Sequence, residues 1–287
     1  MCEYQILTDS GCDLPSEMLE SLKIKRASLS VMFRGETLED CVDDSIKDIY
    51  AGLRAGEPAT TSAINPEGWK SLMEASLAAG KDLLVITFSS GLSTTYQSAV
   101  IAAQELQEAY PDRKILVCDS LCASLGQGLL VWYACQKRDA GMGLEDVFAW
   151  LEENKYHLCL WFTVDDLMYL KRGGRVSAAT ALLGTMLSIK PVLHMDNEGK
   201  LINMAKARGR KAAIQALAAK MQELGEGYDN STVFICHGDC REDAEYLASI
   251  VKDKHGVKDV FIGYTGAVIG SHSGPGTLAL FFLGKER

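Results

Sequence analysis

The stretch Leu83-Leu84-Val85-Ile86-Thr87-Phe88-Ser89-Ser90-Gly91-Leu92-Ser93-Thr94-Thr95 decides the class of fold. Residues 83–88 form a continuous apolar run of strand length, the signature of a strand covered on both faces. A Ser/Gly loop follows, and residues 94–110 carry the helical period. A buried strand that passes through hydroxyls into a helix is the repeating unit of an α/β sheet.

The same unit recurs on both sides. Residues 4–8 read as a strand before Asp9-Ser10-Gly11, with Asp13-Leu14-Pro15-Ser16-Glu17 as a capped helix start. Residues 24–33 and 37–40 read as a hairpin around Arg34-Gly35-Glu36, and 44–54 as a helix closed by Gly56. A polar loop over 58–65 leads to a helix over 66–79, and a strand at 115–118 precedes a helix over 123–138. After a helix over 144–155 the alternation changes. Strands at 158–163, 190–195, 200–204, 232–236, 260–264 and 277–283 are interleaved with a helical turn at 165–170 and helices over 178–187, 210–224 and 242–254. The reading is α/β with two domains. Residues 1–155 form a mostly parallel, Rossmann-like sheet with helices on both faces, and residues 156–287 form an α/β domain with a mixed sheet.

The 287 residues carry 29 Lys+Arg against 38 Asp+Glu, a net charge of −9, which argues against nucleic acid as a partner. With 47% hydrophobic residues the chain must bury a large apolar surface, yet no apolar run approaches the ~20 residues of a membrane span. The segment Met1-Cys2-Glu3-Tyr4-Gln5 has no secretory character, so a cytoplasmic protein is expected. Nine cysteines in a reducing compartment read as small buried hydrophobes. The spacings Cys118/Cys122 and Cys236/Cys240, the latter beside His237, fit no compact zinc knuckle, and no metal is expected.

Hydroxyls gather where strands pass into helices, at Asp9-Ser10, Thr60-Thr61-Ser62, 89–95 and Asp119-Ser120. Each loop taken singly reads as a cap or turn; four at the same end of a parallel sheet point to a crevice for a carboxylate or phosphate. No P-loop or dinucleotide fingerprint is present, so no nucleotide cofactor is expected. Gly270-Ser271-His272-Ser273-Gly274 places histidine where a hydrolase elbow has serine, and no orienting acid is identifiable. His272 therefore reads as a hydrogen-bonding imidazole in a glycine turn. The loop Lys171-Arg172-Gly173-Gly174-Arg175 offers guanidinium groups to a cleft or a partner, against the simpler reading of a solvated turn. Lys206, Arg208, Arg210 and Lys211 read as a solvated helix start.

Together, Thr8-Asp9-Ser10 with Asp13-Leu14-Pro15, Thr61-Ser62, Phe88-Ser89-Ser90-Gly91-Leu92-Ser93-Thr94-Thr95-Tyr96-Gln97-Ser98-Ala99, and Asp119-Ser120 with Ser124, Gly126 and Gly128 resemble the DegV family. Tyr169 to Ser177, Lys190-Pro191 and Ile269 to Thr277 extend the resemblance in the family's order. The resemblance implies a non-catalytic bacterial carrier of long-chain fatty acids with two α/β domains. The ligand would lie between them, its carboxylate on Ser/Thr hydroxyls and its chain in an apolar tunnel.

By the same resemblance Thr61 and Ser93, with Ser62 and His272, form the fatty-acid site, and Arg175 faces the head group or a partner. The implied partner is a fatty acid kinase that phosphorylates the presented acid to an acyl phosphate for phospholipid synthesis, with only transient membrane contact and no cofactor. Two departures touch the mouth of the site. Thr94 follows Ser93 where the family usually has glycine, and Ala63-Ile64-Asn65-Pro66 replaces the usual Gln-Pro after Thr61-Ser62. The small-residue run 178–187 and the apolar run 277–283 are expected tunnel walls. The competing classes are a serine/histidine lipid or ester hydrolase, a small-molecule phosphotransferase, and an interaction protein that docks through its basic loop.

Overall fold

A computed structural model describes residues 4–40, 45–176 and 189–287. Strands β1 (Tyr4–Asp9), β2 (Lys25–Ala27), β6 (Asp82–Thr87) and β7 (Ile115–Asp119) form a sheet in the order β2-β1-β6-β7, parallel throughout. The fold-deciding strand β6 is central, and its alternation explains its unbroken hydrophobicity. Leu83 and Val85 pack with α3 (Pro66–Ala78) and α4 (Thr95–Ala109), while Leu84 and Ile86 pack with α5 (Leu125–Asp139). Asn65 caps α3 by accepting from the Gly68 amide at 2.8 Å.

The second sheet has the order β10-β9-β8-β13-β11-β12. Its strands are β8 (Leu158–Thr163), β9 (Ile189–Met195), β10 (Leu201–Arg208), β11 (Thr232–His237), β12 (Asp259–Tyr264) and β13 (Leu278–Leu283), and only the β11–β12 pair is parallel. Helices α8 (Arg210–Leu224) and α9 (Arg241–His255) cover one face, meeting Trp161, Leu280 and Phe282. The opposite face presents Leu160, Phe162, Ala279 and Phe281 to the core that α5 shares with the parallel sheet. Helix α5 is thus packed between the two sheets. Helix α6 (Leu144–Asn154) joins the same core through Leu144, Val147 and Leu151.

Several segments differ from the sequence expectation. The 24–33 run is not one hairpin arm: β2 pairs in the parallel sheet, and β3 (Ser30–Phe33) leaves it to form a three-stranded antiparallel sheet with β4 (Glu36–Glu39) and β5 (Ala59–Ser62). Strand β5 occupies the expected polar loop, because pairing with β3 satisfies a backbone whose Thr and Ser side chains give no apolar signal. Asp13 does not cap α1 (Ser16–Ser21). Its backbone is left-handed, its carboxylate is buried, and Pro15 holds the cap position without a side-chain bond. Helix α2 (Ile46–Arg54) stands where predicted. The basic loop begins as helix α7 (Met168–Arg172), and the glycine turn at 270–276 begins as helix α10 (Ala267–Ser273), whose Val268 amide donates to Asp40 at 2.9 Å. Lys206 and Arg208 belong to strand β10, whereas Arg210 opens α8 and pairs with Asp243 at 2.8 Å. The 178–187 run lies outside the described residues.

Candidate ligand site

A cavity of about 480 Å³ opens where β5, the 88–95 loop, β8, β9, β13 and α10 meet. That volume lies in the roughly 300–1,000 Å³ range of small-molecule sites. Strand parity decides the walls. Leu160 and Phe162 on β8, Met195 on β9, and Ala279 and Phe281 on β13 all project from the sheet face toward α5. Thr277, Ala279 and Phe281 are the wall residues of the 277–283 run, and the alternate residues Leu278, Leu280 and Phe282 pack against α8 and α9 instead.

Thr61, Ser62, Ser93, Arg175 and His272 all border this cavity. Thr61 Oγ1 and His272 Nε2 are 2.7 Å apart. Gly173 lies flat against the imidazole, where an added Cβ would collide with Nδ1. Burial, and next the charge of Arg175, push the His272 pKa down to about 4, so its ring is neutral at physiological pH. Ser93 Oγ pairs with Thr95 Oγ1 at 2.8 Å and accepts from the Thr95 amide at 3.2 Å, so it also closes the first turn of α4. Ser62 and Thr94 are exposed at the rim. Arg175 donates from Nε to the Leu92 carbonyl at 3.2 Å and is the one cation among the described lining residues. Lys171 and Arg172 are exposed on α7, with Arg172 over the Tyr169 ring at 4.6 Å.

Of the four hydroxyl loops, two border the cavity and two brace it. Asp9 is fully buried and accepts from the amides of Phe88 at 2.7 Å and Gly11 at 3.0 Å. Burial, opposed by these donors, raises its pKa to about 7. Ser10 accepts from the Leu29 amide, and Asp119 accepts from Ser90 and Leu121. Asp9 and Asp119 thereby hold the loop that carries Ser93. From the other sheet, the β9–β10 turn closes on the same loop. Ser89 Oγ donates to the Gly199 carbonyl at 2.8 Å, and a Cβ on Gly91 would lie 2.6 Å from the carbonyl oxygens of Glu198 and Gly199.

The sequence reading missed Ser124, Thr265 and Ser273, which also border the cavity. Ser124 had one local signal, its place in the Asp119-Ser120 to Gly128 motif. Its Oγ donates to Asp13, and Asp13 and Asp40 flank Gly266 behind the cavity wall. Burial raises both carboxyls, Asp40 to about 6, while Asp13 rises further against the neighbouring Asp40 charge. Among the described residues no group of three or more His, Cys, Asp or Glu side chains is placed to hold a metal ion, and no helix is long and apolar enough to cross a membrane. Cys118, Cys122, Cys236 and Cys240 are all free thiols, the first three buried.

Two layered sheets with a cavity between them lined by apolar side chains and hydroxyls describe a small-molecule binding protein. The family model described as "Uncharacterised protein, DegV family" matches residues 3–285, and the chain belongs to that family. A DegV domain-containing protein of Clostridium perfringens is 44% identical over 289 residues, covering 100% of this chain and 99% of its own. Among solved structures, a DegV family protein from Thermus thermophilus described by its fatty acid binding superposes with a TM-score of 0.88 at 31% identity, covering 98% of this chain and 99% of its own. DegV of Bacillus subtilis, described as a fatty acid binding protein, superposes with a TM-score of 0.84 at 30% identity, covering 99% and 100%.

Proposed function

We propose that this protein is a carrier that binds one long-chain fatty acid between domains 1–155 and 156–287 and presents its carboxylate to a fatty acid kinase for acyl phosphate synthesis in the cytoplasm. The observation that carries the reading is one cavity lined both by apolar Leu160, Phe162, Met195 and Phe281 and by Thr61, Ser93, His272 and Arg175. The acyl chain gains ~0.8 kcal/mol per buried CH₂, on the order of 10 kcal/mol before ordering costs. At the head, the hydroxyls of Thr61 and Ser93 donate to the carboxylate oxygens and Arg175 supplies the opposite charge. The tautomer of neutral His272 decides the direction of the Thr61 bond. With the proton on Nε2 the imidazole donates to Thr61 Oγ1, and the threonine proton is left for the ligand.

The rim supports presentation to a partner. Ser62 and Thr94 are exposed beside the carboxylate end, so that end lies at the surface and the chain end in the core. Hydrolysis has less support, because His272 meets Thr61 and not a serine, and no carboxylate orients the imidazole among the described residues. Mass spectrometry of an organic extract of the purified protein should yield about one fatty acid per chain. Protein that carries none and takes up no fluorescent fatty acid refutes the carrier. Acyl phosphate formed by a fatty acid kinase only when this protein is added tests the partner.

A further inference from the structure

Helix α10 does not hold its own place. It has seven residues, glycines stand at 266, 270 and 274, and its cap position, Gly266, has no side chain to bond the first turn. A helix this short does not persist by itself, and its first amides find no partner within it. Yet it carries His272, whose imidazole meets Thr61 beside the cavity. What seats α10 comes from the first half of the chain.

Asp40 supplies the missing cap. Its own amide donates to the Leu29 carbonyl at 2.9 Å, which fixes the residue just beyond β4, and its Oδ1 accepts from the Val268 amide at 2.9 Å. Asp40 is 1% exposed and does not border the cavity. Two further side chains close on the same helix. A Cβ on Gly266 would collide with Asp13 Oδ1 and lie 3.2 Å from Asp40 Oδ1, and one on Gly270 would lie 2.5 Å from Tyr50 Oη. Tyr50 Oη also donates to the Thr265 carbonyl at 2.8 Å, just before the helix. Asp13 and Tyr50 thus limit how closely α10 can approach, and Asp40 bonds its first turn. Val268 and His272 are four residues apart, so they lie on one helix face. A shift of α10 that freed the Val268 amide would carry the imidazole with it.

We propose that Asp40 is a positioning residue for the ligand site: it holds the start of α10 and, through His272, fixes how Thr61 offers its hydroxyl to the carboxylate. The proposal rests on the fatty acid reading above. Because Asp40 does not border the cavity, its effect on the ligand runs through the contact of His272 with Thr61. Ser93 and the apolar residues of β8, β9 and β13 stand on other elements and keep their places without it.

The test measures the Kd for stearic acid on delipidated full-length protein, by displacement of a fluorescent fatty acid, in the wild type, Asp40→Ala, Asp40→Asn, Thr61→Val and the double variant Asp40→Ala/Thr61→Val. Asp40→Ala should bind roughly tenfold more weakly, the order of one hydrogen bond. Asp40→Asn keeps a carbonyl oxygen for the Val268 amide and should recover most of that loss. The double variant should be little weaker than Thr61→Val, because both changes act on one contact. Wild-type affinity in Asp40→Ala overturns the proposal, and so do losses that add in the double variant. A measurement on the wild type covers the case in which Asp40→Ala does not fold: the Val268 amide should resist hydrogen exchange, and exchange at the rate of an open amide overturns the proposal without any variant. Wild-type protein that binds no stearic acid while Val268 stays protected overturns the fatty acid reading instead.

Discussion

Thr61 and His272, 211 residues apart in sequence, meet at 2.7 Å at the polar end of the cavity. The contact joins the small antiparallel sheet to α10. With the ring proton on Nε2 the imidazole donates to Thr61 Oγ1, and the threonine's own proton is then free for an anion.

Removing either hydroxyl of the proposed head-group pair should weaken carboxylate binding without unfolding the protein. Thr61→Val and Ser93→Ala are each expected to raise the Kd for palmitic acid on the order of tenfold, as for hydrogen bonds to a charged group. Titration with a fluorescent fatty acid measures this, and unchanged affinity in both variants would remove the carboxylate from this end of the cavity.

Gly173→Ala tests the support of His272. The added methyl collides with the imidazole, so the ring must leave Thr61 or α7 must shift. Affinity should fall by about the same tenfold as in Thr61→Val, and the double variant Gly173→Ala/Thr61→Val should be little worse than either alone. Additive losses would show that Gly173 acts elsewhere.

Gly126 gives Phe281 its room. A Cβ on Gly126 would collide with Cys122 Sγ and lie 2.6 Å from the Phe281 ring, which forms part of the cavity wall. Gly126→Ala should push that ring into the cavity and move the preference toward shorter acids. A chain-length series of saturated acids measures the shift, and an unaltered profile would mean that the ring yields in another direction.

The closure of the β9–β10 turn on the serine loop is tested by Gly199→Ala. Gly199 has φ +70, and an added Cβ would strike Ser89 Oγ, so both backbone strain and a lost hydrogen bond oppose the variant. A loss of about 2 kcal/mol is expected in urea unfolding. Wild-type stability in this variant would show that the turn does not hold the loop.

The dependence of stability on pH should be shallow because two sets of buried groups oppose one another. His194, His237 and His272 are held near pKa 4, mainly by burial, against an ordinary 6.5. Below that ordinary value the unfolded chain binds protons that the folded chain refuses, so these histidines withdraw stability as pH falls from 6.5 toward 4. Asp9, raised to about 7, and Asp40, raised to about 6, hold protons that the unfolded chain releases above 3.8. They withdraw stability as pH rises from 3.8 through those values. Asp40→Asn removes one opposing group, so its Tm should drop more steeply than the wild type's between about pH 6 and pH 4. Parallel Tm curves would count against the raised carboxyl.

What the sequence made legible follows from where apolar side chains carry the signal. Strands β1, β6, β7 and β8 were readable because residues such as Leu83 to Ile86 are covered on both faces. Strand β5 was not, since its Ala-Thr-Thr-Ser sequence is held by backbone pairing to β3 and by its position beside α10. Helix α10 was not, because glycines at 266, 270 and 274 hide it, and its start is fixed by Asp40, which follows β4 and is remote in sequence. At the cavity, Thr61, Ser62, Ser93, Arg175 and His272 were found through their motifs and are brought together. Ser124 and Thr265 were missed because their orientation depends on Asp13 and Cys236, partners remote in sequence.

Two sets of the cavity's lining residues stand on separate parts of the chain. The proposed anion-holding hydroxyls stand on β5 and the 88–95 loop, whereas Met195, Ala279 and Phe281 stand on strands of the six-stranded sheet. Substitutions that lengthen, shorten or bend the apolar compartment therefore need not disturb the polar mouth. A lineage can change its cargo through β9 and β13 while the end offered to a partner keeps one shape.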